Sequence, residues 1–271
     1  DKVYEQTRAR GVDVTFDSVT YLEQEGNLFA WLPGWAREQG RRKLLERLKD
    51  PQARGRIKEE LMKIIDIRAG PEMHMITLFP QNRSLEGKTL AEVAELRGKD
   101  PYDNAVDLLE EGEGSVQLMQ LHVVDREDHL KISKHPLGKF VSDGHTLSAD
   151  GVLRIACEQV SFGTFPLVLE KFVREDRALR LEEAIRKMTS APAQRLGLKD
   201  RGLIRKGMYA DITVFDPKNV VAKATHLDPY RYPEGIEYVF VNGSMVIDGR
   251  KHTGALPGKD LRGPGWKGHP D

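Results

Sequence analysis

The chain has 271 residues, 39% of them hydrophobic, enough for one sizeable core or for a core with a small satellite domain. Lysine plus arginine and aspartate plus glutamate each number 42, so the formal net charge is zero and the basic surplus that a nucleic-acid or anionic-membrane partner needs is missing. The single cysteine, Cys157, excludes an intramolecular disulfide and a cysteine-based zinc site, and no stretch reaches the roughly 20 apolar residues of a membrane span, so the expected setting is cytoplasmic.

Residues 1–10 read as the end of an amphipathic helix, stopped at Gly11, which accepts a positive φ without steric cost. With no initiator Met and no charged-then-apolar leader ahead of it, this start is expected to be that of a fragment. Residues 12–17 are rich in β-branched side chains and end in a carboxylate, which predicts a buried strand with Asp17 at a loop-bearing edge. The pattern from 22 to about 66 is helical, broken by a turn at Leu32-Pro33-Gly34-Trp35, with apolar residues at three- and four-residue spacing over 41–48 and 53–65. A short strand is predicted over 73–79, and a helix opens at Thr89 with Glu92 closing a capping box. Another helix starts at Asp100-Pro101, followed by a strand within 116–124, a helix over 127–133, and a strand over 138–142 that stops at Asp143-Gly144. Helices are predicted over 165–174 and 181–189. Two period-two strands follow, over 207–216 and 236–246, the second carrying the hairpin dipeptide Asn242-Gly243. Residues 257–271 read as a tail.

Several of these segments together resemble one family. The block from Leu181 to Ala193, with Leu196-Gly197-Leu198, Arg201-Gly202, Lys206-Gly207 and Ala210 to Asp216, is similar to the closing region of amidohydrolases, where the last barrel helix passes into a β-sandwich. The narrower likeness rests on Ser142-Asp143-Gly144, Phe162 to Pro166, Val241-Asn242-Gly243, Leu85 to Leu90, Gly98 to Pro101 and Leu44 to Arg56. In order and spacing these resemble the N-acyl-D-amino-acid deacylases over nearly the whole chain. The resemblance implies an α/β fold. By this resemblance residues 1–200 are expected to be the C-terminal part of a (β/α)8 barrel, its last two strands with an insertion over about 22–120, and 201–256 part of a small β-sandwich. It also implies a zinc-dependent hydrolase of N-acyl amino acids. The alternatives are a cyclic amide hydrolase like a hydantoinase or dihydroorotase, and a non-catalytic remnant or subunit. Two positions depart from the family pattern. A tyrosine expected two residues after Asp17 is Val19, and two arginines suited to a substrate carboxylate are Val160 and Leu167, with Arg154 as a conceivable substitute.

The chemistry is expected where strands end, on the C-terminal face of a barrel. Asp143 stands there and is the catalytic candidate, a general base that takes a proton from the attacking water and passes it to the leaving amine. The bland reading of Asp143-Gly144 is a turn, which both residue types favour. Asp17 is expected at the same mouth, holding a loop by accepting backbone N–H bonds. No metal ligands are assigned. The family's His-x-His is missing, and the eight histidines His74, His122, His129, His135, His145, His226, His252 and His269 are scattered. His74, alone on an apolar strand, reads as structural, His145 as a loop residue with an outside claim on substrate, and Cys157 as a small buried apolar residue. The expected partners are a small N-acyl amino acid and either a missing N-terminal half or a second copy, since two barrel strands alone leave open edges.

Overall fold

The computed structural model describes residues 2–154, 158–263 and 265–267. Among them the strands are β1 (Phe16–Ser18), β2 (Gln24–Asn27), β3 (His74–Leu78), β4 (Gln117–Gln120), β5 (Gly138–Phe140), β6 (Ile212–Phe215), β7 (Ile236–Val241), β8 (Ser244–Asp248) and β9 (Lys251–His252). The chain divides into two compact units. One is Tyr21–Arg126, and the other joins Asp1–Thr20 to Glu127–Asp271.

The unit Tyr21–Arg126 is built on an antiparallel sheet of order β2-β4-β3 with helices packed over it. Its helix starts follow local chemistry. Asp50 accepts from the Gln52 amide ahead of the helix Pro51–Ile67, and Asp100 accepts from the amides of Tyr102 and Asp103 ahead of Pro101–Glu111. In both a proline takes the first position, where its missing N–H costs nothing. Thr89 and Glu92 form the expected capping box at the head of Leu90–Arg97, and Gly98 ends that helix at φ 61°. Ile57, Leu61 and Ile65, four apart, put one face of the long helix into the core with Leu28, Phe79 and Leu108. Each such burial stabilises by roughly 1.5–3 kcal/mol. The strand β2, Gln-Glu-Gly-Asn, falls inside the stretch expected to be helical. It is drawn into the sheet by its pairing with β4 across Gln24↔Gln120 to Asn27↔Gln117.

In the other unit β1 runs parallel to β5, in the register Phe16↔Gly138, Asp17↔Lys139 and Ser18↔Phe140. The strand expected over 12–17 shrinks to Phe16–Ser18, because its partner begins only at Gly138, where a Cβ would lie 2.9 Å from the Phe16 ring. The turn before β5 is held from below by Lys187, 1% exposed, whose ammonium donates to the carbonyls of His135 and Gly138. The helix expected over 165–174 starts earlier, at Val160, and after Pro166 it widens over Val168–Glu175, with the Asp176 amide reaching back to the Lys171 carbonyl. Proline lacks the donor that a regular turn needs. Phe140, Val168, Phe172, Leu179 and Ala184 form a small core. Beyond it, β6 to β9 make an antiparallel sheet in sequential order, with Asn242 and Gly243 at φ 51° and 81° in the hairpin between β7 and β8. This is the geometry for which Asn-Gly is favoured.

Candidate functional site

Because β1 and β5 are parallel and in register, Ser18 and Phe140 finish side by side, and the Val141 amide extends the pairing by donating to the Ser18 carbonyl at 3.1 Å. Three residues later Asp143 is exposed and sits at φ 54°, a left-handed conformation that aspartate tolerates better than most side chains. The next residue has to be small. A Cβ on Gly144 would lie 2.7 Å from the Ser161 Cα, so the loop can press against the start of the helix Val160–Leu167 only with glycine there. Around this contact the Gly144 amide donates to Ser142 Oγ at 3.2 Å and the His145 amide to Ser161 Oγ at 3.2 Å. The Ser161 amide in turn donates to the Glu158 carbonyl at 3.2 Å.

These ties bring Glu158 to the site, a residue the sequence reading did not single out. Its carboxyl is pushed above the usual glutamate range, first by burial and then by the negative charge of Asp143, with His145 pulling the other way. Two carboxyls and an imidazole therefore feel one another's charge, one carboxyl exposed and the other half-buried. Carboxyls held in such unlike surroundings, one in water and one half-buried, are a setting suited to proton transfer. No motif announces Glu158, since it precedes the Phe162 to Pro166 segment on an irregular stretch.

Asp17 has a partner that was not expected. Its carboxylate meets the Lys139 ammonium at 3.1 Å, and Lys139, nearly buried, also donates to Thr15 Oγ1 at 2.8 Å. The cross-strand pairing of β1 with β5 sets this neighbour, and among the described residues no backbone N–H donates to the Asp17 carboxylate. His74 is wholly buried, its Nδ1–H donating to the Gly70 carbonyl at 2.7 Å and its ring edge-on to Trp31. Burial lowers its pKa and keeps it neutral. His129 is also internal, bonded through Nε2 to the Val19 carbonyl at 2.9 Å and packed edge-on to Phe172. His145 is exposed, while Cys157 and His269 lie outside the described residues. Arg154 stacks 3.9 Å over the Tyr230 ring and donates to the Ala149 carbonyl at 2.5 Å, while Val160 and Leu167 bring no charge. Arg201 ties Asp211 to Asn242, whose amide donates to Asp211 at 2.8 Å, so this trio belongs to the architecture of the β-sheet.

A metal centre was tested on the same geometry. Among the described residues no three His, Cys, Asp or Glu side chains gather closely enough to hold an ion, so the described residues do not fit one. No helix among those residues is long and apolar enough to cross a membrane.

Comparison with known proteins bears on what such a site does. The model of the amidohydrolase family matches residues 4–247. An N-acyl-D-aspartate deacylase of Alcaligenes xylosoxydans xylosoxydans is 41% identical over 139 residues, 51% of this chain and 27% of that protein. An N-acyl-D-glutamate deacylase of the same organism is 34% identical over 206 residues, 76% of this chain and 38% of that protein. A solved D-aminoacylase described by its binuclear metal center superposes with a TM-score of 0.65 at 27% identity, covering 94% of this chain and 44% of its own. An N-acyl-D-glutamate deacylase of Bordetella bronchiseptica, complexed with zinc and a phosphonate inhibitor, superposes at 0.64 with 26% identity, over 92% of this chain and 44% of its own. The chain thus spans less than half the length of each of these relatives.

Proposed function

Since the chain belongs to the amidohydrolase family, we propose that the protein it comes from hydrolyses the amide bond of N-acyl amino acids, in the manner of a D-aminoacylase, with Asp143 as general base. In this reading β1 and β5 are the last two strands of a (β/α)8 barrel and the sheet β6 to β9 is part of a sandwich. The observation that carries it is the setting of Asp143. It is an exposed carboxylate, in a left-handed turn just past a pair of parallel strands, pressed by Gly144 against a helix start that brings a second carboxyl and an imidazole nearby. The deacylase likeness supports the substrate class.

Asp143 accepts a proton from the water that attacks the amide carbon and returns it to the nitrogen as the C–N bond breaks, so the carboxylate is regenerated at the end of the cycle. A water-exposed carboxylate is suited to the first half of that task. The D-aminoacylase relative is described by its binuclear metal center, whereas among this chain's described residues no three His, Cys, Asp or Glu side chains gather to hold an ion.

The test is Asp143→Asn in the native protein. Asparagine keeps the shape and an accepting oxygen but cannot take a proton, so kcat should fall by roughly 10²- to 10⁴-fold, on the order of 3–5 kcal/mol, with KM and fold unchanged. Retention of more than about a tenth of the rate would make Asp143 a turn residue and move the search to His145. A panel pairing N-acyl-D-amino acids with cyclic amides separates the proposed substrate class from a ring-opening activity.

A further inference from the structure

We propose that Tyr232, on the segment joining β6 to β7, is a positioning residue for Asp143, its phenol pinning the loop of residues 145–154 that leaves the base; this rests on the reading of Asp143 given above.

The left-handed backbone of Asp143, at φ 54°, is sparsely populated by residues other than glycine and persists where the chain on both sides is held. Upstream the hold is the pairing of β5 with β1. Downstream it begins with the His145 amide on Ser161 Oγ and continues at Tyr232. The Ala149 amide donates to the Tyr232 hydroxyl at 3.1 Å, and Ser148 Oγ lies 3.3 Å from the same oxygen. Because Ser148 Oγ gives its own proton to Asp150 at 2.8 Å, the phenol proton is directed at Ser148, leaving the phenol lone pairs for the Ala149 amide. Each group in this chain has one defined role, and a run of such bonds strengthens its members.

The phenol is placed by packing of its ring. Tyr232 meets the Phe162 ring edge-on at 5.3 Å between centroids, and Phe162 stands one residue after Ser161, so one helix start anchors both ends of the hold. Tyr230 adds the far side, taking Arg154 over its face at 3.9 Å while Arg154 donates to the Ala149 carbonyl. Val152 in the same loop is 94% exposed. The ring is 58% exposed, so its value lies in those bonds and not in area buried.

Tyr232→Phe removes the hydroxyl and keeps the ring on Phe162. In the native protein it should speed hydrogen exchange at the Ala149 amide about tenfold or more. It should also lower kcat about tenfold with KM changed by less than about twofold, since a misplaced base costs rate before binding. A double-mutant cycle with Asp143→Asn separates positioning from mere structure: acting through the base, Tyr232→Phe should cost almost nothing further once Asp143 is gone. An equal loss of kcat in both backgrounds, or unchanged Ala149 exchange, overturns the positioning role even if Asp143→Asn is inactive. An active Asp143→Asn overturns the base assignment instead, and with it the purpose of the clasp, while faster Ala149 exchange would still record the contact itself.

Discussion

The unit Tyr21–Arg126 and the polar framework around Asp143 differ in the charge they bury: the polar side chains buried in the first, such as His74 and Asn104, are neutral, and the second buries lysines. The first fills a core running from Leu28 to Leu118 with aliphatic and aromatic side chains and closes its helices with side-chain caps. The second has a small core around Phe140 and Phe172, and in the same neighbourhood it buries Lys139 and Lys187 at the two-stranded sheet and half-buries Glu158 beside Asp143. Burying an amine or a carboxyl costs free energy unless partners answer it. The contrast teaches where the molecule is built for stability and where stability is given up to hold charged groups in place.

The largest effect that separates the two regions is a cavity. Leu61→Ala removes a wholly buried side chain from the larger core and should destabilise Tyr21–Arg126 by about 2–5 kcal/mol. Leu179→Ala, at a 9% exposed position of the smaller core, should cost less, since a site near the surface collapses more easily. Chemical denaturation of both variants measures the difference, and equal losses would remove the comparison.

Lys187 gives the next effect, through pH. Burial depresses its pKa from 10.5 to about 8, with Glu183 opposing and Arg186 assisting. Between those two values the unfolded chain holds the proton that the folded chain has released, so this lysine makes stability rise as pH increases from about 8 to 10.5. The full gain is ~3 kcal/mol, the free-energy equivalent of that shift. Below pH 8 the folded lysine is charged and its burial cost is carried in full. Lys187→Met should remove this alkaline rise, measured as the wild-type minus variant difference in denaturation midpoint across the range. A difference that stays flat would mean that the two carbonyls hold the ammonium as well as water does.

How much of this was legible in the sequence follows the range of the forces. Thr89 with Glu92, the Asp100-Pro101 helix start and the Asn242-Gly243 hairpin are set by neighbours within a few residues, and all read directly from the chain. Asp143 was found because strand end and turn lie together in sequence, with Gly144 supplying the close approach to Ser161. The strand β2 was missed because Gln-Glu-Gly-Asn has no strand preference of its own and exists through its partner β4. The Lys139 partner of Asp17 is invisible for the same reason, since it reaches Asp17 through strand pairing. Glu158 and Tyr232 were invisible because a lone carboxyl and a lone phenol on irregular segments have no periodicity, and the contacts that give them meaning cross many residues.

A smaller effect tests the well-capped region. Thr89→Ala leaves the Glu92 amide without its acceptor and breaks the reciprocal bond pattern, at a cost of about 1 kcal/mol. Thr89→Ser should recover most of it, because a hydroxyl in the same place can accept the same amide. Failure of serine to rescue would shift the stabilisation from the cap to the methyl group of threonine.

Glu158 supplies the smallest effect, and its sign is the informative part. Its carboxyl is raised above 4.5 by burial, then by Asp143, with His145 opposing, so the folded chain binds a proton more tightly than the unfolded chain does. Stability from this group is complete below pH 4.5 and is lost as pH rises through its folded value, leaving a net cost at neutral pH. Glu158→Gln cannot ionise, so it should raise the melting temperature at pH 7 and leave it nearly unchanged at pH 4. Asp143→Asn should reduce that gain, since it removes the second cause of the shift while burial, the first, remains. The opposite sign, with Glu158→Gln destabilising at pH 7, would show that the carboxylate has a favourable partner in the folded protein. Glu158 would then not be a cost to the folded protein, and the contrast between the two regions would not extend to it.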